Sequence, residues 1–418
     1  MPNIFTRPLI FTLMLAVFLD IGNFFMPMPI YSPLFLHSSF LHGYSHEARA
    51  IMLGVLMALY GVAQLFGAPI FAEFSDQHGR RKAILLSMVI ALAGCILAAI
   101  SITYHSIPLV YISRLMIGFG SGTIAVVFAV TADLSNESNR AKHLGFINTG
   151  LSIGAAVGPV IGGHLVYIAF APKLGYAGPF YCMALLYLIN ICLVAKLLPY
   201  QAPARQGGKR IHLFTSFQNI YIVATRSPLL LYTVLMAVLF QIGVESFYLA
   251  APVVGVQKFH MTAPTISNFF LGFGMVAAVV SWWLNKVVSK HFTSTQIYLV
   301  CVFLSIFTFV PLITASSYWM FFIPFAGVGV FSVLAWVHVN NLFSQAVDES
   351  EQGLIFGVSQ SMWSLGGMIG TTLVGVTAAK HYQIAASLPV GFTILCFIVA
   401  ICMAMALVKS KQSRLTVS

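Results

Sequence analysis

The sequence predicts an all-α membrane protein: twelve transmembrane helices in two six-helix bundles related by a parallel repeat. Three observations predict it. The chain of 418 residues is 59% hydrophobic and only 7% charged, with a mean hydropathy of +0.92. No soluble domain buries that much apolar surface and still shows water a polar skin. Apolar windows of about 18 or more residues recur, each long enough to cross a hydrocarbon core roughly 30 Å thick. A glycine pattern in one of these windows returns in another, far along the chain.

The spans follow in order. The first, 8–36, holds Asp20 and then Pro27, Pro29 and Pro33, which predict a kink beyond the aspartate. No small-residue cleavage site follows MPNIFTR, so this reads as a helix that stays attached. Spans 49–72, 83–103, 107–132, 142–168 and 176–198 complete a first bundle, residues 1–198. Residues 199–227 form the longest polar gap. Pro203, Gly207 and Gly208 make its start flexible, and its later part suits an amphipathic helix on the membrane surface with Lys209 and Arg210 near headgroups. Spans 228–251, 264–287, 294–314, 316–343, 353–379 and 386–408 build the second bundle, 228–418, with a short tail.

Twelve crossings return both termini to one side. With that side inside, the inner segments and span ends carry 16 Lys and Arg and the outer loops carry 4, while Arg114 alone lies deep within a span. The bias places both termini in the cytoplasm. The inner segment 344–352 has only the acids Asp348, Glu349 and Glu351, which contribute little to orientation. The formal charge of +11 is scattered between spans, so no nucleic-acid surface is predicted. The six cysteines all sit in apolar segments without a CxxC pair and read as small hydrophobes, with no metal site.

The repeat is specific. The fifth span reads GFINTGLSIGAAVGPVIGG and the eleventh GVSQSMWSLGGMIGTTLVG. At one offset of 212 residues, Gly145, Gly154, Gly158 and Gly163 fall on Gly357, Gly366, Gly370 and Gly375. Glycine is common in membrane helices and suits any close contact. A single offset equal to the distance between the halves instead fits two related bundles around a central site.

Three motifs carry a family resemblance. AEFSDQHGRRK, Ala72 to Lys82, has an aspartate, a glycine and basic residues at Asp76, Gly79, Arg80 and Arg81. RLMIGFGSG begins at the intramembrane Arg114. The fifth span has the pattern GX8GX3GPX2GG, with Gly145, Gly154, Gly158, Pro159, Gly162 and Gly163. In this order the chain resembles a major facilitator superfamily transporter over essentially its whole length, and its twelve-span drug:proton antiporter branch in particular. Ala72 stands where the family's loop motif has glycine, and Gln77 where it commonly has a basic residue.

The resemblance implies a role for the charged loop. Asp76 would face the N-terminal end of the eleventh helix, where the helix dipole favours an anion by about 0.3–1 kcal/mol when exposed. Arg80 would pair with Asp133, and the cluster with Gly79 and Arg81 would form a reversible cytoplasmic gate favouring the outward-open state. The bland alternative is that the basic residues only set topology. The helix-packing motif implies antiport; its glycines permit close packing and Pro159 bends the span.

Asp20, Arg114 and Glu245 are the full charges deep within spans, and such residues are costly in hydrocarbon and functional by default. Asp20 within reach of Arg114 would exchange proton and substrate, or the two would form a permanent structural pair. Glu245, with no basic residue near it in sequence, is a protonation or cation-recognition candidate, or a hydrated group at the outer mouth. The family's cavity is lined by helices 1, 4, 7 and 10. That makes His338, Asn340 and Asn341 in the tenth span cavity candidates, with Asn23, Gln241, Tyr248, Gln360 and Trp363 beside them.

The expected function is secondary active transport: proton-coupled efflux of drugs or amphipathic metabolites by alternating access. The alternative is a siderophore or other carboxylate-bearing metabolite carrier, in either direction, which Arg114 and His338 would suit. A non-transporting membrane sensor is a third class. An enzyme is not expected, since no HExxH, nucleophile elbow or phosphate-cradling loop occurs. No cofactor is expected beyond a proton gradient. The expected partners are a small-molecule substrate, protons and the lipid bilayer, with the monomer as the working unit in a bacterial cytoplasmic membrane.

Overall fold

In the computed structural model, residues 7–167, 172–200, 214–347 and 351–415 are described. Among them, 12 helical segments are long and apolar enough to cross a membrane. The first is broken, as its prolines predict: α1 (Arg7–Phe25) gives way to α2 (Met28–Leu36) at Pro27, which has no N–H to continue the ladder. The second is α3 (His46–His78), started by the Ser45 side chain accepting from the Ala48 N–H at 3.2 Å. The third is α4 (Arg80–Thr103).

The charged stretch between α3 and α4 is therefore not a loop. Glu73 to His78 extend α3 beyond the expected end at 72, and Arg80 already begins α4. Gly79 alone turns the chain, at φ 94°, a backbone that suits glycine.

The fourth span, expected to be continuous, also breaks, into α5 (Ile107–Gly120) and α6 (Thr123–Asp133). Its glycines bring backbones together here: a Cβ on Gly118 would sit 2.5 Å from the Tyr60 carbonyl oxygen, and one on Gly120 2.8 Å from that of Ser87. The first half closes with α7 (Glu137–His164) and α8 (Gly178–Leu197).

Between the halves lies α9 (Thr215–Arg226). Ser216 Oγ donates to the Leu65 carbonyl at 2.8 Å, and Arg226 pairs with Glu351 at 2.7 Å, so α9 touches both halves. Lys209 and Arg210, expected near headgroups, lie outside the described residues.

The second half comprises α10 (Pro228–Phe259), α11 (Ala263–Val279) running through a π-turn at Val280–Leu284 into α12 (Asn285–Val288), then α13 (Ser294–Thr314), α14 (Phe322–Gln345), α15 (Gln352–Lys380) and α16 (Tyr382–Leu415).

The halves meet where α3 lies along α15 and α7 along α11. The repeated glycines make matched contacts in the two halves, two pairs packing within their own halves and one pair across the seam. Gly154 and Gly158 pack on α1 at Phe18 and Gly22; their mates Gly366 and Gly370 pack on α10 at Gln241 and Ile242. Gly163 crosses to Ala263 and Ser267 of the other half, and its mate Gly375 crosses back to Ala50 and Gly54. Gly145 and Gly357 both meet open space. Gly162 packs on the Met26 carbonyl, and Pro159 lies inside α7.

Even spans return Arg7 and Leu415 to one face, here called the terminal face. The opposite, far face is closed. Residues 19–36 and 240–256, the far-side halves of the two central segments, are buried without a break, whereas their terminal-side halves alternate buried and exposed.

Candidate functional site

A small cavity lies at the centre, between the halves. Phe24 of α1, Met28 of α2, Met57, Tyr60 and Gln64 of α3, Arg114 of α5, Glu245 of α10 and Trp363 and Ser364 of α15 line it. About 10 Å³ is open to the centre of a water molecule, about the least that holds one. The spans meeting here are the first, second, fourth, seventh and eleventh. The tenth, expected as a wall, contributes none of the lining residues.

Arg114 enters from the first half and is fully buried. Its guanidinium carbon lies 4.7 Å from the centre of the Tyr60 ring, a cation–π contact. Its Nε and one Nη have no hydrogen-bond partner. Glu245 enters from the second half, also buried; its Oε1 accepts from Trp363 Nε1–H at 2.5 Å, while Oε2 has no partner. No ion pair within 4.0 Å joins Arg114 and Glu245, although both border the same space. A buried guanidinium and carboxylate left with open valences cost several kcal/mol each unless something satisfies them. The arrangement is built to take a polar guest.

The expected partnership of Asp20 with Arg114 is not formed. Asp20 is buried within the first half, its carboxylate faced by the Ile124 backbone of α6, and its Oδ2 is unpartnered. The break at Ser121–Gly122 starts α6 beside it. Glu245, not Asp20, is the carboxylate that shares a cavity with Arg114. Sequence distance hid this, because the two come from opposite halves.

Several cavity candidates lie elsewhere. His338 Nδ1 meets Ser294 Oγ at 3.2 Å, and Asn341, which is exposed, donates to the same oxygen at 3.2 Å, so both tie α14 to α13. Asn340 donates to the Trp336 carbonyl of its own helix at 2.7 Å. Asn23 donates to Cys95 Sγ at 3.2 Å inside the first half. Gln241 is packed against Gly366, and the Gln360 carbonyl accepts from Ser364. Tyr248 belongs to an aromatic cluster that crosses the halves, 5.2 Å from Phe25 and 5.6 Å from Phe273 between ring centres. Tyr60 and Gln64, one helical turn apart in MALYGVAQL, were the signal the sequence offered for the second span: two polar groups on one face of an apolar helix.

On the terminal face, Arg80 bridges two carboxylates, Asp76 at 2.5 Å and Asp133 at 3.0 Å, and also donates to Ser75 Oγ at 3.1 Å. The expected Arg80–Asp133 pair is thus present. Arg81 donates to the Ala195 carbonyl at the end of α8, which goes beyond setting topology. All of these bonds stay within the first half. The start of α15 that Asp76 is expected to face is Gln352 and Gly353, whose side chains lie outside the described residues.

Residues 13–371 match the family model described as Major Facilitator Superfamily. The tetracycline resistance protein, class C, of Escherichia coli is 26% identical over 335 residues, covering 78% of this chain and 80% of that protein. The quinolone resistance protein NorA of Staphylococcus aureus is 20% identical over 347 residues, covering 82% and 84%. Among solved structures, the human organic anion transporter MFSD10 (TETRAN) superimposes with a TM-score of 0.70 at 16% identity, covering 96% of this chain and 100% of that one. At that identity the likeness shows the fold.

Proposed function

Because the chain belongs to the Major Facilitator Superfamily, a family of transporters, we propose that it is a proton-coupled secondary transporter that exports drugs or amphipathic metabolites by alternating access. The observation that carries this reading is the central cavity, where Arg114 and Glu245 project from opposite halves with unsatisfied polar atoms. A site shared by two hinged halves changes its exposure when they rock. The far-face closure is one end state of that motion, and the open space at Gly145 and Gly357 lies toward the other face. Glu245 is the proton-coupling group in this reading and Asp20 a second carboxylate within the first half. Phe24, Tyr60 and Trp363 supply aromatic walls for an amphipathic solute.

The likeness to tetracycline and quinolone resistance proteins favours drug-like compounds as the exported solutes. The excess of positive charge on the terminal side favours a cytoplasmic position for it. A bacterial inner membrane, and the monomer as the working unit, complete the proposal.

A second reading has an observation of its own. Arg114 keeps two nitrogens, Nε and one Nη, free to donate to an anion, which suits a carrier of carboxylate-bearing metabolites.

Counterflow of labelled solutes in proteoliposomes under an imposed pH gradient tests both. Gradient-driven flux of cationic or zwitterionic drugs that Glu245→Gln abolishes supports the first. Flux of carboxylates that Arg114→Gln abolishes, with drugs unmoved, supports the second. Binding without flux across the whole panel overturns transport in favour of a sensor.

A further inference from the structure

Three of the contacts across the far face share one residue type. His37, just after α2, lies against His260 at the end of α10, with ring centres 5.5 Å apart. His46, at the start of α3, meets Gln257 of α10 with 3.1 Å between their Nε2 atoms. His164, at the end of α7, meets Ser267 Oγ of α11 at 3.1 Å. Each pair joins the first half to the second.

We propose that His37, His46 and His260 form a latch that holds the far face shut and that acid on that face releases. The first two contacts depend on neutral imidazole; at the third, Ser267 Oγ donates to the Pro264 carbonyl at 2.8 Å and so accepts from His164 Nδ1–H whether or not that ring is charged. The Gln257 amide nitrogen only donates, so His46 Nε2 must accept, and an imidazolium has no acceptor. Protonation breaks this bond unless the amide turns over. His37 and His260 tolerate one another uncharged and repel when both are charged. His260 cannot easily withdraw: its backbone sits at φ 51°, and its N–H is held by the Val256 carbonyl at 3.2 Å.

The setting has the same sign. Burial, and then His260 and His46, hold the His37 imidazole below its ordinary value of 6.5. A depressed histidine favours the state that depresses it when neutral. That support for closure is complete above about pH 6.5 and is lost as pH falls below it. Around the cluster, His42, Tyr44, Glu47 and Arg49 lie on the first half's side, and Lys258, Lys380 and His381 on the second's. Lys258 is directed at the Ala315 carbonyl at 2.5 Å and Arg49 at the Tyr44 carbonyl at 3.2 Å. Glu47 is the single carboxylate at this face in the sequence, and it sits beside His46 in the same half, so it does not tie the halves together. Charge added to the latch is therefore not neutralised across the interface. If the far face is the outer one, acid outside recruits the conformation that opens to it, independently of the central cavity.

The test uses the full chain in liposomes, with Tyr104→Cys and Ser317→Cys carrying spin labels on opposite halves of the far face, and Cys182, Cys192 and Cys402 replaced by serine. Distance distributions are read from about pH 8 to about pH 5.5, spanning the histidine range. The long-distance, open fraction rises several-fold on acidification. The triple variant His37→Gln, His46→Gln, His260→Asn matches the parent at high pH and loses the rise; asparagine accepts the left-handed backbone at 260. His37→Glu reverses the sign, because a carboxylate attracts the His260 imidazolium. The rise persists in a Glu245→Gln background, which separates the latch from the central site. A parent distribution that ignores pH overturns the proposal. So does a full rise in the triple variant, or its disappearance with Glu245→Gln.

Discussion

Gly54 and Gly375 face each other across the two halves so closely that a Cβ built on either would lie 2.6 Å from the other's Cα. The contact is backbone on backbone, and neither helix can yield by turning a side chain. It is the far-face end of a seam whose mate, on the opposite side of the molecule, is Gly163 against Ala263 and Ser267.

Gly375→Ala therefore forces α15 away from α3. Overpacking of this kind costs about 1–3 kcal/mol. The expected outcome is a far face that opens more readily and a lower melting temperature in detergent. Gly357→Ala, which adds a methyl to open space, leaves both unchanged. Equal effects of the two substitutions in paired melting and accessibility measurements would remove the seam from the mechanism.

Trp363 holds Glu245 by one short hydrogen bond and reaches Phe24 of the other half, 5.6 Å between ring centres. Trp363→Phe keeps the ring and deletes the donor, leaving both carboxylate oxygens without a partner. That loss is worth about 1–3 kcal/mol. Gradient-driven transport falls by roughly an order of magnitude or more, since about 1.4 kcal/mol is tenfold, and its pH profile moves. A profile identical to the parent's would show that the indole does not position the carboxylate.

Arg80 is mostly covered, with a side-chain exposure of 17%, but its partners are open to solvent at 40% and 49%. Exposed pairs contribute little, about 0–1 kcal/mol each. Arg80→Ala is expected to lower stability by about 1 kcal/mol at low salt and less at high salt. Arg80→Lys recovers part of this, because a point charge cannot span both carboxylates as the guanidinium fork does. Chemical unfolding at two ionic strengths separates these outcomes.

His338 and Asn341 converge on Ser294, away from the central cavity. Asn341→Ala changes stability by no more than about 0.5 kcal/mol, as an exposed substitution does, and leaves the substrate profile intact. His338→Ala loosens α14 against α13 without changing which solutes compete for transport. A selective change in competition by either variant would return the tenth span to the cavity wall.

Much of the fold was legible. Hydropathy placed the spans because a membrane helix must satisfy its backbone internally and show lipid an apolar surface. The prolines after Asp20 announced the broken first span. The glycine offset announced the seam, since close helix approach leaves few choices of residue. The break in the fourth span was harder to see: its glycines look like packing glycines, and they are, but the helix also reopens there beside Asp20.

The sequence by itself determined the membrane, the twelve spans, the two-fold repeat and the short set of charges that a bilayer does not hold idly. Those are consequences of composition and spacing, which the solvent reads locally. Only the tertiary structure decided which buried charge meets which. Arg114 and Glu245 lie 131 positions apart and His37 and His260 lie 223 apart, each pair in different halves, and such encounters depend on how two rigid bundles are set against each other. A rotation of one bundle would change every one of them while leaving each span as it is.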